Sequence, residues 1–353
     1  MDLEKTMVFI MDDYKNTAGL NALKLHIKFI QSLNTPIAFI IKESNSEAFK
    51  LQYPNEKIYT YKHWLHLVYQ LYKIQAKRVY ASTAGATIST FMSKLMLKTE
   101  VYSWVQGIIP EESYLRHQSK IRYQILSFME YLTLKLSNHK IFVSSYMKEY
   151  LEEKYNQEFP NNIIVPCISE FTYDKSKKEE NSFVYIGGMS AWQRVDLMLQ
   201  MFNEFADTHS NATFTIATLE QKSAKHYIKT HLKTQHHDKV EVISINERAE
   251  VTHFLSTKMY GFLIREDIPV NHVSSPIKLA EYLSCGVNPI ISHSVKSYAP
   301  LVQEYGAGVA ILEGESLNDK LEFFIPNTDK PLRLYKELFS TIQHLKNYQR
   351  ILK

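Results

Sequence analysis

The stretch MYGFLIREDIPVNHVSSPIKLAEYLSCGVNPIIS, residues 259–292, places a short helical pattern between two apolar runs. Runs of this length, rich in aliphatic and aromatic residues and bounded by polar segments, predict buried strands. Ser275 and Pro276 are typical of a helix start, and Gly286 is typical of the residue that follows a last turn. The order strand, loop, helix, strand predicts a βαβ unit, whose strand-to-helix loop lies at the carboxyl edge of a parallel sheet.

Polar side chains concentrate around the start of this predicted helix. Arg265 ends the first run, Asn271 lies in the loop, and Lys278 follows one turn into the helix, close to Ser274 and Ser275. Because the free amides of a helix N-terminus favour negative charge, the segment predicts a compact anion site. An ordinary surface helix with a solvated lysine and glutamate is the alternative. A helical wheel places Lys278, Glu281 and Tyr282 together on the polar face.

The same alternation of apolar runs and helical segments extends over the whole chain. It stops at the polar, lysine-rich segment 167–182, which is predicted to be a linker, and then starts again. This pattern predicts an α/β protein of two Rossmann-like, doubly wound parallel-sheet domains that face each other across a cleft. The predicted domains are 1–170 and 171–335, and the amphipathic segment 336–353 is expected to return to the first domain as a helix.

Composition restricts the classes of function. The formal net charge of +4 is too small for a nucleic-acid-binding surface, but it is compatible with contact with an anionic membrane. Cys167 and Cys285 lie far apart, so a disulfide framework is not expected and a reducing compartment is favoured. No secretory signal pattern and no apolar run long enough to span a bilayer is found, which favours a cytoplasmic location.

The stretch YGFLIREDIPVNHVSSPIKLAEYLSCGVNPIIS resembles bacterial glycosyltransferases of family 4, which have the two-domain GT-B fold. The resemblance covers roughly residues 180–310 and is patchy before them. It implies that Glu281 binds the ribose of a nucleotide-sugar donor and that Arg265 and Lys278 act on its diphosphate. In FVYIGGMSAWQRVDLML, it implies that Gly187 and Gly188 let the backbone approach the diphosphate. The donor-site residues expected in all are Gly187, Gly188, Gln193, Arg194, Asn271, Ser274, Ser275 and Glu281, with Arg265 and Lys278 as catalytic residues.

Two positions depart from the pattern of this family. Val273 stands where many members have a first glutamate, and Gly188 and Gln193 stand where a basic pair is usual. Arg265 and Lys278 are therefore expected to supply the missing positive charge. An inactive or weakly active GT-B scaffold subunit and a nucleotide-sugar epimerase remain the alternatives to a transferase.

The resemblance also implies the chemistry. A sugar moves with retained configuration from a UDP- or GDP-sugar to a glycan or lipid-linked acceptor, in the synthesis of a bacterial surface polysaccharide such as capsule or lipopolysaccharide. The sequence has no Asp-x-Asp motif, so no metal and no other cofactor is expected. The residues His236 to Asp238 are interpreted as a solvated loop and not as metal ligands.

The acceptor side gives weaker signals. Gly19 opens the first predicted helix, where either a close approach to a ligand or a plain turn fits. Gln106, Glu111 and Glu112 follow a strand end and are candidates for acceptor contact, with a structural loop as the alternative. Residues 61–80 mix aromatic residues with cations. A core helix with snorkelling lysines is the preferred interpretation of that segment, and a surface for peripheral contact with the inner membrane is the alternative.

Overall fold

The protein folds as two compact units, described here from a computed structural model. Unit 1 comprises Met1–Pro166 and Thr341–Lys353, and unit 2 comprises Cys167–Ser340. The structure describes residues 5–11, 17–45, 49–50, 53–245 and 247–352, with the backbone alone at 17–21.

Unit 1 contains a seven-stranded parallel sheet within its described residues, with the strand order β3-β2-β1-β4-β5-β6-β7. The strands are β1 (Met7–Met11), β2 (Ile37–Lys42), β3 (Lys57–Tyr61), β4 (Arg78–Ala81), β5 (Glu100–Val105), β6 (His139–Phe142) and β7 (Asn162–Ile164). The helices are α1 (Thr17–Ser32), α2 (Trp64–Lys73), α3 (Ala84–Ser89), α4 (Phe91–Leu97), α5 (Ile109–His117), α6 (Lys120–Leu136) and α7 (Ser145–Tyr155). Strands such as MVFIM are buried along their whole length, because helices cover both faces of a parallel sheet.

Unit 2 contains a six-stranded parallel sheet within its described residues, with the order β10-β9-β8-β11-β12-β13. The strands are β8 (Ser182–Ile186), β9 (Thr213–Ala217), β10 (Val240–Ile243), β11 (Tyr260–Leu263), β12 (Asn288–Ser292) and β13 (Val309–Ile311). The helices are α8 (Val195–Thr208), α9 (Gln221–His231), α10 (Arg248–Thr257), α11 (Pro269–His272), α12 (Ile277–Ser284), α13 (Ala299–Glu304), α14 (Leu317–Glu322) and α15 (Asp329–Phe339). The predicted α/β class with two parallel sheets is confirmed, and the carboxyl ends of β8 and β11 bring their loops to one edge of the sheet.

The last helix, α16 (Thr341–Leu352), belongs to unit 1, where it packs on α1 and β7. The Arg350 guanidinium donates to the Asn162 carbonyl oxygen at 2.6 Å. The buried Tyr348 hydroxyl contacts the His26 imidazole and lies 3.4 Å from the Tyr80 hydroxyl. Burial lowers the pKa of His26 to about 3, so this imidazole is a neutral hydrogen-bonding group.

The segment predicted as a linker packs against unit 2. The Tyr173 amide donates to the Ser284 carbonyl oxygen at 2.9 Å, and the Lys178 ammonium donates to the Cys285 carbonyl oxygen at 2.8 Å. Burial lowers the pKa of Lys178 to about 8. The lysine-rich segment is therefore not a free linker. Hydrogen bonds from its backbone amides and from the polar ends of its side chains attach it to the rest of unit 2.

Candidate functional site

Helix α12 begins later than the sequence suggested. Pro276 is its N-cap residue, and no side chain that the structure describes caps the first turn. The predicted Ser275 cap is wrong, because the Ser275 hydroxyl accepts the Cys167 amide at 3.0 Å and the Tyr298 hydroxyl at 3.0 Å. The amide groups of the first turn, at Ile277 and Lys278, are therefore left for a ligand or solvent.

The Lys278 side chain is mostly enclosed by the loop that follows β8. Its ammonium lies 3.4 Å from the Gln193 side-chain oxygen and 5.6 Å from the centre of the Tyr185 ring. Burial, and secondarily the Arg265 guanidinium, lowers the pKa of Lys278 to about 7, whereas Glu281 opposes this shift. An anion beside the ammonium would restore its full charge.

Gly187 makes the room in which Lys278 lies. Its φ of +142° is a conformation that side-chain-bearing residues rarely adopt, and an added Cβ would lie 2.4 Å from the Lys278 Cε atom. At Gly188, an added Cβ would lie 2.9 Å from a Glu220 carboxylate oxygen. The predicted glycine turn is therefore present. In the described structure, the space left by the missing side chain of Gly187 is occupied by Lys278.

Arg265 follows β11 and is partly buried. Its backbone amide donates to the Ser292 hydroxyl at 2.8 Å, but its Nη1 group is buried without a hydrogen-bond partner among the described residues. Burial lowers its pKa, although the guanidinium keeps its charge at neutral pH. It also borders a cavity of about 330 Å³ that Lys296 and Asp267 help to line. A buried cation with an unused donor is costly unless an anion binds it.

Glu281 lies one turn after Lys278 on the same helix. Burial raises the pKa of its carboxyl group, and the neighbouring Lys278 ammonium limits the rise. The carboxylate makes no hydrogen bond or ion pair to a residue that the structure describes, which leaves both oxygens available to hydroxyl donors.

The remaining predicted donor-site residues divide into two groups. Gln193 touches Lys278, whereas the Arg194 guanidinium donates to both Glu313 carboxylate oxygens at 3.0 and 3.1 Å and also pairs with Asp196. The positive charge of Arg194 is thus already balanced within the protein. Asn271 is buried and donates to the Glu266 carbonyl oxygen, and the Ser274 hydroxyl donates to the Asn271 carbonyl oxygen. Asn271 and Ser274 shape the loop between α11 and α12 through these hydrogen bonds.

The sequence pattern did not predict Tyr185 as part of this site, and it placed Tyr282 on the wrong face of the helix. Tyr185 donates to the Gly188 carbonyl oxygen at 2.5 Å and also contacts Gln193. Tyr282, predicted on the polar face with Lys278, is fully buried because its ring covers Gly261. A glycine inside an apolar strand was the available signal, since it marks a close approach of another group.

In unit 1, the carboxyl ends of β1, β4 and β5 border a cavity of about 420 Å³. Gln106 and Glu112 line it, and burial raises the pKa of Glu112. Two other polar groups in its wall were not predicted: the Trp104 indole N–H and the Glu130 Oε1 atom are buried without partners among the described residues. The cavity therefore combines an apolar wall with unsatisfied hydrogen-bonding groups.

Glu111 does not line this cavity. Its Oε1 atom accepts the Lys154 ammonium at 2.7 Å and the Tyr123 and Tyr150 hydroxyl groups at 3.1 and 3.0 Å. These contacts favour the structural alternative for Glu111. Gly19 lies in the first turn of α1, and its surroundings fall outside the described part of the chain.

Histidine and acidic residues form no candidate metal site in the part of the chain that the structure describes. His236, interpreted from the sequence as part of a solvated loop, is instead buried and contacts the Asp207 carboxylate at 2.9 Å. Within the same described part, no helix is both long and apolar enough to cross a bilayer.

Residues 170–338 match the family model described as "Glycosyl transferases group 1", which is just under half of the chain. No curated protein matches the sequence at a significant level.

Similar solved structures span the whole chain. TarM has a TM-score of 0.76 at 10% identity, with 100% of both chains covered. Anabaena Alr3699/HepE in complex with UDP has a TM-score of 0.72 at 10% identity, with 99% of both covered. The lipopolysaccharide outer core galactosyltransferase WaaB in its apo form has a TM-score of 0.68 at 12% identity, with 98% of this chain and 99% of that chain covered. The chain therefore has the GT-B fold of two parallel-sheet α/β units, and its second unit matches the group 1 glycosyl transferase model.

Proposed function

We propose that the protein is a glycosyltransferase that uses a nucleotide-sugar donor, UDP- or GDP-linked. The observation that carries the proposal is the enclosed pair of cations, Lys278 and Arg265, beside an uncapped helix N-terminus. Each cation lacks a carboxylate within ion-pair distance among the described residues, and the Arg265 guanidinium has an unused buried donor. A diphosphate would supply the missing negative charge to both. The match of unit 2 to the group 1 glycosyl transferase model supports the same assignment.

The proposed reaction breaks the bond between the sugar C1 atom and the diphosphate oxygen and forms a bond from C1 to an acceptor hydroxyl. Negative charge grows on the departing diphosphate, where Lys278, Arg265 and the α12 amides stabilise it. The acceptor proton passes to the departing phosphate, and the sugar retains its configuration. These last two features follow from the resemblance to family 4 enzymes.

Acceptor binding is proposed for unit 1, at the 420 Å³ cavity that Gln106 and Glu112 line. Carboxyl and amide groups in an apolar wall suit a hydroxyl-bearing glycan, free or lipid-linked. The pathway proposed is synthesis of a bacterial surface polysaccharide in the cytoplasm, by analogy with the family that the sequence resembles.

Nucleotide-sugar hydrolysis, measured over UDP-, GDP- and CMP-linked donors with and without chelator, tests the proposal. We expect slow hydrolysis of a UDP- or GDP-sugar that excess chelator does not reduce. Absence of both turnover and nucleotide-induced thermal stabilisation would favour a scaffold subunit, which Val273 and Gln193 at family positions would then explain. Turnover that chelator abolishes would contradict the metal-independent mechanism.

The role of Glu281 can be tested with a deoxy ligand. Two hydrogen bonds from ribose hydroxyls to a carboxylate, at about 1.5–3 kcal/mol each, predict that Glu281→Ala weakens UDP or GDP binding about tenfold or more. Calorimetric titration should also show that the wild-type protein prefers the diphosphate over its 2′-deoxy form and that the variant does not. Unchanged affinity in Glu281→Ala would disprove the ribose assignment.

The lowered pKa of Lys278 predicts a pH dependence of donor binding. Lys278 loses its proton near pH 7 in the free protein, and a bound diphosphate raises its pKa, so binding takes up a proton above pH 7. Affinity should be constant below pH 7 apart from phosphate titration and should fall by up to about tenfold per pH unit above it. Titrations at pH 7, 8 and 9 in two buffers of different ionisation enthalpy measure this uptake. Lys278→Ala is the control, and equal wild-type affinity at the three pH values would contradict the prediction.

A further inference from the structure

Two neighbouring helices of unit 1 expose an unusual number of large apolar side chains. Helix α2 exposes Trp64, Leu65, Tyr69 and Tyr72, while burying Leu67 and Leu71. One face of the helix packs on the core, as the preferred interpretation of residues 61–80 expects, and the other face is left exposed. Helix α4, which packs on α2, exposes Phe91, Met92, Leu95 and Met96. We call the exposed faces of these two helices the α2–α4 surface.

The charged side chains in the segment that contains α2 and α4 are all positive. Residues 57–99 contain seven lysines and arginines and no aspartate or glutamate. Two of these cations pair with carboxylates from outside the segment, Lys62 with Glu43 at 3.8 Å and Arg78 with Glu100 at 3.5 Å. The other five make no ion pair with any residue that the structure describes, and Lys57, Lys73 and Lys98 among them are exposed. The apolar side chains of the α2–α4 surface are therefore accompanied by unbalanced positive charge.

Single exposed apolar residues are ordinary, but large apolar side chains that are grouped on two packed helices mark a binding surface. The combination of tryptophan, tyrosine and leucine with flanking lysines matches the needs of a lipid interface. Aromatic rings lie at the headgroup level, aliphatic side chains enter the acyl region, and lysines attract anionic headgroups. The unpaired lysines favour an anionic lipid face over a protein partner, because anionic headgroups supply the complementary charge over a wide area.

We propose that the α2–α4 surface binds the face of an anionic phospholipid bilayer. The inference goes beyond the proposed transfer reaction, because binding to vesicles requires no donor, no acceptor and no catalysis. It assigns peripheral membrane contact to eight apolar side chains and the cations around them.

Flotation of the full chain with vesicles, without nucleotide, tests the proposal. We expect binding to phosphatidylglycerol-containing vesicles, weaker binding to pure phosphatidylcholine vesicles, and a decrease with added salt because Lys attraction is screened. The double variant Leu65→Ser/Leu95→Ser removes two side chains that are 65% and 64% exposed. It should lower the vesicle partition coefficient about tenfold or more, since each buried leucine contributes strongly to membrane insertion.

The matched control is Phe323→Ser/Ile325→Ser in unit 2, where the side chains are 84% and 81% exposed. It should leave vesicle binding unchanged, and both double variants should keep the thermal stability and the donor affinity of the wild type. Unchanged flotation of the Leu65/Leu95 variant would overturn the proposal. Loss of flotation only when Ile121 and Phe128 of α6 are changed would also overturn it. A third contradicting result would be a wild-type dimer that dissociates in the Leu65/Leu95 variant, with neither protein binding vesicles.

Donor hydrolysis in solution separates this inference from the proposed function. If the protein hydrolyses a nucleotide sugar but does not float with vesicles, the result contradicts only the proposed membrane binding. A protein that floats but neither binds nor hydrolyses a nucleotide sugar contradicts the transferase alone.

Discussion

Lys278→Ala is expected to lower kcat/KM for the nucleotide-sugar donor about 10²-fold, as loss of one preorganised charge-stabilising donor does in other enzymes. The ammonium lies between the Tyr185 ring and Gln193. In the proposed reaction it supplies, with Arg265, positive charge where the leaving diphosphate gains negative charge. The variant removes a partly buried cation that has no carboxylate of the described residues within ion-pair distance, so folding should not suffer from its loss. Steady-state hydrolysis kinetics and thermal unfolding together measure both effects.

Lys239→Ala is the matched control for this variant. Lys239 is a partly buried lysine of unit 2. Among the described residues, its ammonium donates only to the carbonyl oxygens of Ala206 and His209, at 3.4 and 3.5 Å. Its replacement should leave kcat/KM within about twofold of the wild type, as is usual for substitutions away from a site. Equal losses in the two variants would mean that Lys278 has no special role in the reaction.

Gly187→Ala is expected to weaken donor binding more than it weakens the fold. The φ of +142° costs about 1–3 kcal/mol for a residue with a side chain. The added methyl would also lie 2.4 Å from the Lys278 Cε atom and 2.6 Å from its ammonium nitrogen. Because the end of a lysine side chain moves easily, the collision displaces the ammonium and spares the core. We expect a loss of UDP or GDP affinity of about tenfold or more, measured by calorimetry.

Gly314→Ala separates backbone strain from displacement of the ammonium. Gly314 also has a positive φ, +89°, but an added Cβ there meets no atom within 4 Å. It should lower the free energy of unfolding by a similar amount while preserving nucleotide affinity. In addition, Gly187→Ala should have little further effect on affinity when Lys278 is already alanine. A full additional loss in that background would show that Gly187 acts on the ligand by another route.

The sheets could be predicted from the sequence because buried parallel strands are continuous apolar runs. VFIM, IAFII and FVYI are each recognisable alone. Shorter or more polar strands were not recognised. KIYTY in β3 has neither a continuous apolar run nor a strict alternation, and the three-residue strand β7 is too short to show a pattern. Local residue types thus identified the fold but not every edge of the sheets.

The sequence pattern could not predict which side chains form hydrogen bonds with each other. Ser275 has the residue type of a helix cap, but its hydroxyl accepts hydrogen bonds from Tyr298 and Cys167, which come from distant parts of the chain. Tyr282 falls on the polar face of the helical wheel, yet the missing side chain of Gly261 lets its ring enter the core. Arg194 has the charge expected of a diphosphate ligand, but Glu313, which lies 119 residues away, neutralises it. Each error reflects a contact between residues that are remote in sequence.

The proposed binding of a diphosphate by Lys278, Arg265 and the α12 amides is the basis of the proposed function. Its most direct measurement is the affinity of the wild-type protein and Lys278→Ala for a nucleoside diphosphate, UDP or GDP, and for the matching nucleoside. The wild type should prefer the diphosphate strongly, and the variant should lose about tenfold or more of that preference while binding the nucleoside as before. A wild-type protein that binds the nucleoside as tightly as the diphosphate, or a variant with an unaltered preference, would contradict the account.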